Sequence, residues 1–144
     1  MPIDQKDFMH GAALVAIADS PEFTALNKAS VKYGHYIVNH DRHLFIKYSN
    51  GGPDDYSFTF NPDDKERIRN TAPRGTVYVV LVCGKEVITG LSRDELGELL
   101  DLKSPAAEAI VVTAIVGKQL RLTGPGGWQL PPIPRNSFPR RILT

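Results

Sequence analysis

Residues 76–83 read TVYVVLVC, an almost unbroken apolar run closed on either side by Gly75 and Gly84. Successive side chains of a strand point to opposite faces, so a run that is apolar at both parities needs cover on both. This requirement constrains the chain more than any other feature. A central strand is predicted here, with layers packed above and below it.

The helices for those layers are marked by their caps. Asn61 precedes Pro62, Asp63 and Asp64, which starts a helix over 62–71 that ends before Pro73 and Gly75. Ser92 with Glu95 three residues later forms a capping box for a helix over 93–101, with Leu96, Leu99 and Leu100 on its buried stripe. An earlier helix over 5–18 carries Phe8, Ala12, Val15, Ala16 and Ala18 at helical spacing. SPEF follows, with Ser20 as cap, Pro21 in the first helical position and Glu22 at the positive end of the dipole. A second helical segment is therefore predicted over 21–28.

The remaining apolar stretches are strand-like. HYIVN (35–39) and LFIKYS (44–49) flank the polar turn HDRH, and the second run sorts Leu44, Ile46 and Tyr48 to one face and Phe45, Lys47 and Ser49 to the other. After the loop NGGPDD, YSFTF alternates with Tyr56, Phe58 and Phe60 inward. EVITGL returns as a hairpin partner of the central run, and AIVVTAIV and KQLRLT form a pair about Gly117. The predicted fold is mixed α/β (α+β), a single domain with a central mixed sheet flanked by helices, in the order α-βββ-α-ββ-α-ββ. A chain of 144 residues supports one core of this kind. Residues 1–123 form that core. Residues 124–144, rich in proline and glycine, form an irregular tail packed on it or extending from it.

Charge and cysteine content narrow the function classes. A formal net charge of +1 gives no global field toward nucleic acid or membrane. Cys83 is the only cysteine and ends the apolar run, so it reads as a packed, reduced thiol with no intramolecular partner. The stretch from Ala12 to Ala18 is too short for a membrane span or a signal peptide, and Asp4 and Asp7 outweigh Lys6 before it. A cytoplasmic protein without membrane contact is expected.

Three groups of residues could carry chemistry. His35, His40, Asp41 and His43 lie in or beside the polar turn. Their spacing does not assemble a four-ligand set, so a solvated hairpin tip without structural metal is expected. Lys47 interrupts a strand, either on a solvated face, the expected placement, or in a cleft beside Asp41, Asp54, Asp55 or Glu22. The third group is the C-terminal region. From Ala109 to Thr144 the charges are Lys118, Arg121, Arg135, Arg140 and Arg141, with no acid. Arg135, Arg140, Arg141 and the aromatic Trp128 suit phosphate and base contact. Equally, LPPIP suits docking on a protein partner through the tail, and Trp128, Ile133, Phe138 and Ile142 suit a tail that wraps its own domain. GPGGW lacks the lysine and hydroxyl of a phosphate loop and reads as a turn, with Trp128 covering a core edge.

The order helix, strand, strand, strand, helix, strand between Pro21 and Cys83 resembles the core of the restriction-endonuclease-like superfamily, the PD-(D/E)xK nucleases. The resemblance implies carboxylates holding a divalent ion that activates water, and a lysine on a strand that orients the nucleophile. It places Asp41 as the first acid, Lys47 as the lysine and Glu22 as the acid of the preceding helix. Phe45 stands two residues before Lys47, where the family has a carboxylate. The layout is also similar to small bacterial proteins, a likeness that implies no activity. The expected function is a nucleic-acid-associated domain with a nuclease-like core and an incomplete catalytic set. The alternatives are a protein-interaction or assembly module without enzymatic activity, and an active metal-dependent nuclease using Mg²⁺.

Overall fold

The structure, a computed structural model, describes residues 4–30 and 33–143. Helix α1 (Gln5–Ala18) buries His10, Ala13 and Ile17, one residue per turn on one stripe. The chain then departs from the helical segment predicted over 21–28. Glu22 N–H donates to Ser20 Oγ at 3.4 Å, and the Asn39 side chain takes the N–H groups of Thr24 at 2.7 Å and Ala25 at 3.2 Å. Asn39 also donates Nδ2–H to Glu22 O at 2.8 Å. Amide groups held by a side chain from a distant turn are not free to start a helix. The segment instead extends into β1 (Leu26–Ser30), so Glu22 stands on a turn and not on a helix.

β1, β2 (His35–Val38) and β3 (Arg42–Ser49) form an antiparallel meander. β3 then pairs in parallel with β5 (Thr76–Cys83), and β5 pairs antiparallel with β6 (Val87–Ser92). The sheet order is β1-β2-β3-β5-β6. A parallel pair needs a long crossover, and β4 (Asp55–Phe60) and α2 (Pro62–Thr71) supply it, followed by a short 3-10 turn at Ala72–Arg74. β4 does not join this sheet. It forms a second one with β7 (Glu108–Thr113) and β8 (Arg121–Thr123), in the order β4-β7-β8. Helix α3 (Arg93–Leu99) follows β6, and a final turn of helix, α4 (Arg140–Leu143), lies in the tail.

β5 has the interior position that its sequence demands. Val77, Val79, Leu81 and Cys83 face one core, shared with Tyr56, Phe58 and Phe60 of β4, Ile68 of α2, and Leu96 and Leu99 of α3. Val80 and Val82 face the other, shared with Leu44 and Ile46 of β3, Ala13 and Ile17 of α1, and Ile142 and Leu143 of α4. Both capping boxes are formed, at Asn61–Asp64 and at Ser92–Glu95. The tail packs on the domain: Leu130 and Ile133 enter the first core, Ile142 and Leu143 the second. Trp128 does not cover a core edge as predicted. It is 72% exposed and lines a groove beside α3. Among the described residues, no helix is long and apolar enough to cross a membrane.

Candidate functional site

The face of the first sheet that meets α2 carries a line of polar side chains within an apolar layer. His43, Phe45 and Lys47 share this face of β3, and His35 lies opposite Phe45 in the β2–β3 register. α2 reaches down to them with two residues one turn apart. Asp64 Oδ2 accepts from Lys47 Nζ at 2.9 Å, and Arg67 NH2 donates to His35 Nδ1 at 3.2 Å.

Lys47 is neither on a solvated face nor beside the carboxylates expected for it. Its side chain is 24% exposed, its ammonium lies 4.9 Å from the centroid of the Phe60 ring, and its carboxylate partner is Asp64. Asp64 Oδ2 also accepts from Asn61 N–H at 3.1 Å, so one carboxylate both caps α2 and holds the lysine. These groups open onto a cleft of about 240 Å³ lined by Lys6 and His10 of α1, Tyr33, Lys47, Tyr48, Asp64, and Ser57 and Thr59 of β4. His10 packs over Gly34, whose φ of +62° and close approach to Ile46 O leave no room for a Cβ. His10 Nδ1 lies 3.1 Å from Tyr36 Oη. Burial and then the charge of Lys6 hold the His10 pKa below its usual range, with Asp7 opposing. The cleft therefore offers two ammonium groups, one carboxylate and several hydroxyls around a neutral imidazole.

His35 and His43, expected at a solvated hairpin tip, are buried instead. His35 and His43 are 3% and 6% exposed, and His35 Nε2 lies 2.9 Å from His43 Nδ1. Arg67 can only donate, so His35 Nδ1 accepts and the His35 proton sits on Nε2, where it is given to His43 Nδ1. His43 then carries its own proton on Nε2. His35 stacks on Phe45 with ring centroids 4.4 Å apart. Burial, Arg67, His43 and Arg74 together push the His35 pKa down to about 4. His40 alone is exposed, at the turn with φ +69°. A cation shared by His35 Nε2 and His43 Nδ1 would require both nitrogens as lone-pair donors. The Arg67 proton occupies the other nitrogen of His35, so binding there would leave an imidazolate.

The residues named for nuclease chemistry do not converge. Asp41 lies at the β2–β3 turn, 70% exposed and 3.9 Å from Arg42 NH1. Glu22 is bonded by its carboxylate to Ser20 and by its carbonyl to Asn39, at the same end of the sheet. Lys47 lies six residues along β3 from Asp41, about 20 Å away at strand rise. Asp55 is engaged with Thr113 Oγ1 at 2.8 Å. Among the described residues no three of His, Cys, Asp and Glu cluster to hold a metal ion. The residues present therefore do not fit the Mg²⁺ that the nuclease resemblance implies: Asp64 is a single carboxylate already shared between a lysine and a helix cap.

The tail cations are largely engaged. Arg141 bonds to Glu95 and donates to Gly90 O at 2.9 Å, and Arg135 donates to Ile115 O at 3.2 Å and lies 3.9 Å from Glu86. Arg140 also has a partner. Trp128 stands apart from Lys47, on a groove between α3 and residues 100–103. Asp64 is readable from the sequence as a helix cap, but no local signal ties its carboxylate to Lys47, and His10 reads only as a residue of an amphipathic helix. Compared with protein families, curated proteins and solved structures, the chain matches none.

Proposed function

We propose that this is a nucleic-acid-associated domain with a nuclease-like core that contacts phosphate in the Lys47 cleft without cutting the strand. One observation carries the reading: Lys47 is held at 2.9 Å by a lone carboxylate in a cleft it shares with Lys6, His10, Ser57 and Thr59. Asp64 engages one N–H of the Lys47 ammonium and leaves its other N–H donors for a phosphate oxygen. Hydroxyls on β4 complete a donor set that suits an oxyanion. Hydrolysis assisted by metal needs more carboxylates than this cleft holds, so slow or absent cleavage is part of the proposal. The helix that the resemblance placed over 21–28 is a turn and β1, and β4 stands between the meander and α2, so the reading rests on the cleft and not on the order of elements.

The test is fluorescence anisotropy of a labelled oligonucleotide at rising salt, with a gel assay for cutting in Mg²⁺. Wild-type binding should be weak to moderate at low salt and fall steeply as salt rises. Lys47→Met should weaken it about tenfold, and no Mg²⁺-dependent product should appear. Wild-type protein that fails to bind at low salt removes the reading, and cutting in Mg²⁺ replaces it with an active nuclease. An assembly module is the second reading, favoured by β1, an edge strand exposed at four of its five residues.

A further inference from the structure

The cations that the fold leaves without ion-pair partners point to a different surface from the arginines of the tail. β7 and β8 present one face to solvent, and with the turn at Gly117 they form a trough of about 580 Å³. Its polar walls are Thr113, Lys118, Gln119, Arg121, Thr123 and Gln129, and no acidic residue lines it. Among the described residues neither Lys118 nor Arg121 makes an ion pair. The carboxylate on the neighbouring strand, Asp55, accepts from Thr113 Oγ1 at 2.8 Å. Gln129 Nε2 donates to Thr123 Oγ1 at 3.2 Å, which fixes the far wall.

The trough also adjoins the Lys47 cleft. In the sheet register Ser57 pairs with Val111 and Val111 with Thr123, so these three lie in one row on the outward face. Ser57 lines the cleft and Thr123 lines the trough, and two strand spacings, about 10 Å, separate them.

We propose that the outward face of β7 and β8 is a docking surface for the phosphodiester backbone of nucleic acid, continuous with the Lys47 cleft. The inference rests on the nucleic-acid reading above and assigns it a second set of contacts. Two unpaired cations in an acid-free trough match a polyanion, and hydroxyl and amide groups supply neutral donors to phosphate oxygens. No aromatic ring lines the trough, so bases find no stacking platform and binding here is indifferent to sequence. A concave channel suits a strand passing through it better than a plane of lipid headgroups.

The experiment compares wild-type protein, the double variant Lys118→Gln/Arg121→Gln and the control Lys85→Gln, whose lysine is exposed at the β5–β6 turn. Each is titrated with labelled oligonucleotides of two unrelated sequences, over a range of salt, and with vesicles containing anionic lipid. Matching thermal midpoints establish that the variants fold alike. The double variant should bind about tenfold or more weakly to both sequences and flatten the log–log salt slope by about 2, one per lost contact, while Lys85→Gln behaves as wild type. A double variant with wild-type affinity and slope overturns the docking surface and leaves the Lys47 reading standing. Equal losses in Lys85→Gln reduce binding to net charge and overturn it too. Vesicle binding that needs Lys118 and Arg121, without oligonucleotide binding, assigns the trough to membranes and overturns it. Wild-type protein that binds no oligonucleotide at low salt fails both proposals together.

Discussion

His35 is buried between a guanidinium, a second imidazole and a phenyl ring. The unfolded chain binds that proton near pH 6.5, and the folded one only near pH 4, chiefly through burial and then Arg67. Between those values the unfolded chain holds more protons, so stability falls as pH falls through this window. The loss from His35 is at most about 3.5 kcal/mol, since each tenfold weakening of proton binding corresponds to about 1.4 kcal/mol. Urea unfolding at pH 7.5 and pH 5 should show the drop in wild type and a clearly smaller one in His35→Phe, whose ring can still stack on Phe45. An unchanged pH dependence in the variant would place the acid sensitivity elsewhere. The sequence points these histidines to a solvated tip because HDRH reads as the turn. The turn begins one residue earlier: Asn39 and His40 take φ of +53° and +69°, the chain closes at Val38–Arg42, and His43 is drawn into β3 facing inward. Left-handed backbone at a histidine is uncommon, and nothing in the local sequence announces it.

Helices and strands are legible where their signals are local. The α2 boundaries follow from Asn61, Pro62 and the acids of the first turn, and the alternation of Tyr56, Phe58 and Phe60 follows from β4 itself. β1 is not legible, because Ser20, Pro21 and Glu22 imitate a helix start and the deciding contact comes from Asn39. Nor is the tie between α2 and β7. Lys65 is fully buried, and its Nζ donates to Glu108 Oε1 at 2.5 Å and to Ala106 O at 2.8 Å. The polar pattern of NPDDKERIRN gives Lys65 the appearance of a solvated residue, and only the tertiary partner makes its burial tolerable. Removing one partner of such a pair strands the other charge. Glu108→Ala should therefore cost about 3–5 kcal/mol, and Lys65→Met distinctly less, because the methionine fills the volume without a charge to satisfy. Denaturant titration of the two variants decides it, and equal losses would mean that the pair acts through packing alone.

At the scale of the whole molecule, TVYVVLVC carries the most information. Covering both faces of β5 requires α1 and α4 on one side and the second sheet with α2 and α3 on the other, which is the observed arrangement. That β4 leaves the first sheet for the second cannot be read from the sequence. Its alternating pattern fits either sheet, and the choice rests on pairing with β7 across the chain. That choice sets Ser57 and Thr59 beside Lys47 and puts Ser57 in one row with Val111 and Thr123 at the β7–β8 trough. Arg135 and Arg141 fasten the tail to the domain through Glu86, Glu95 and backbone carbonyls. On the proposed reading, nucleic acid follows a track from the Lys47 cleft across the second sheet. Amide chemical-shift mapping of the isotope-labelled protein with a short oligonucleotide at low salt tests it most directly. The track predicts the largest shifts at Lys47, Tyr48, Ser57, Thr59, Thr113, Arg121 and Thr123. Shifts confined to Arg140, Arg141 and their neighbours, or no shifts at saturating oligonucleotide, would contradict it.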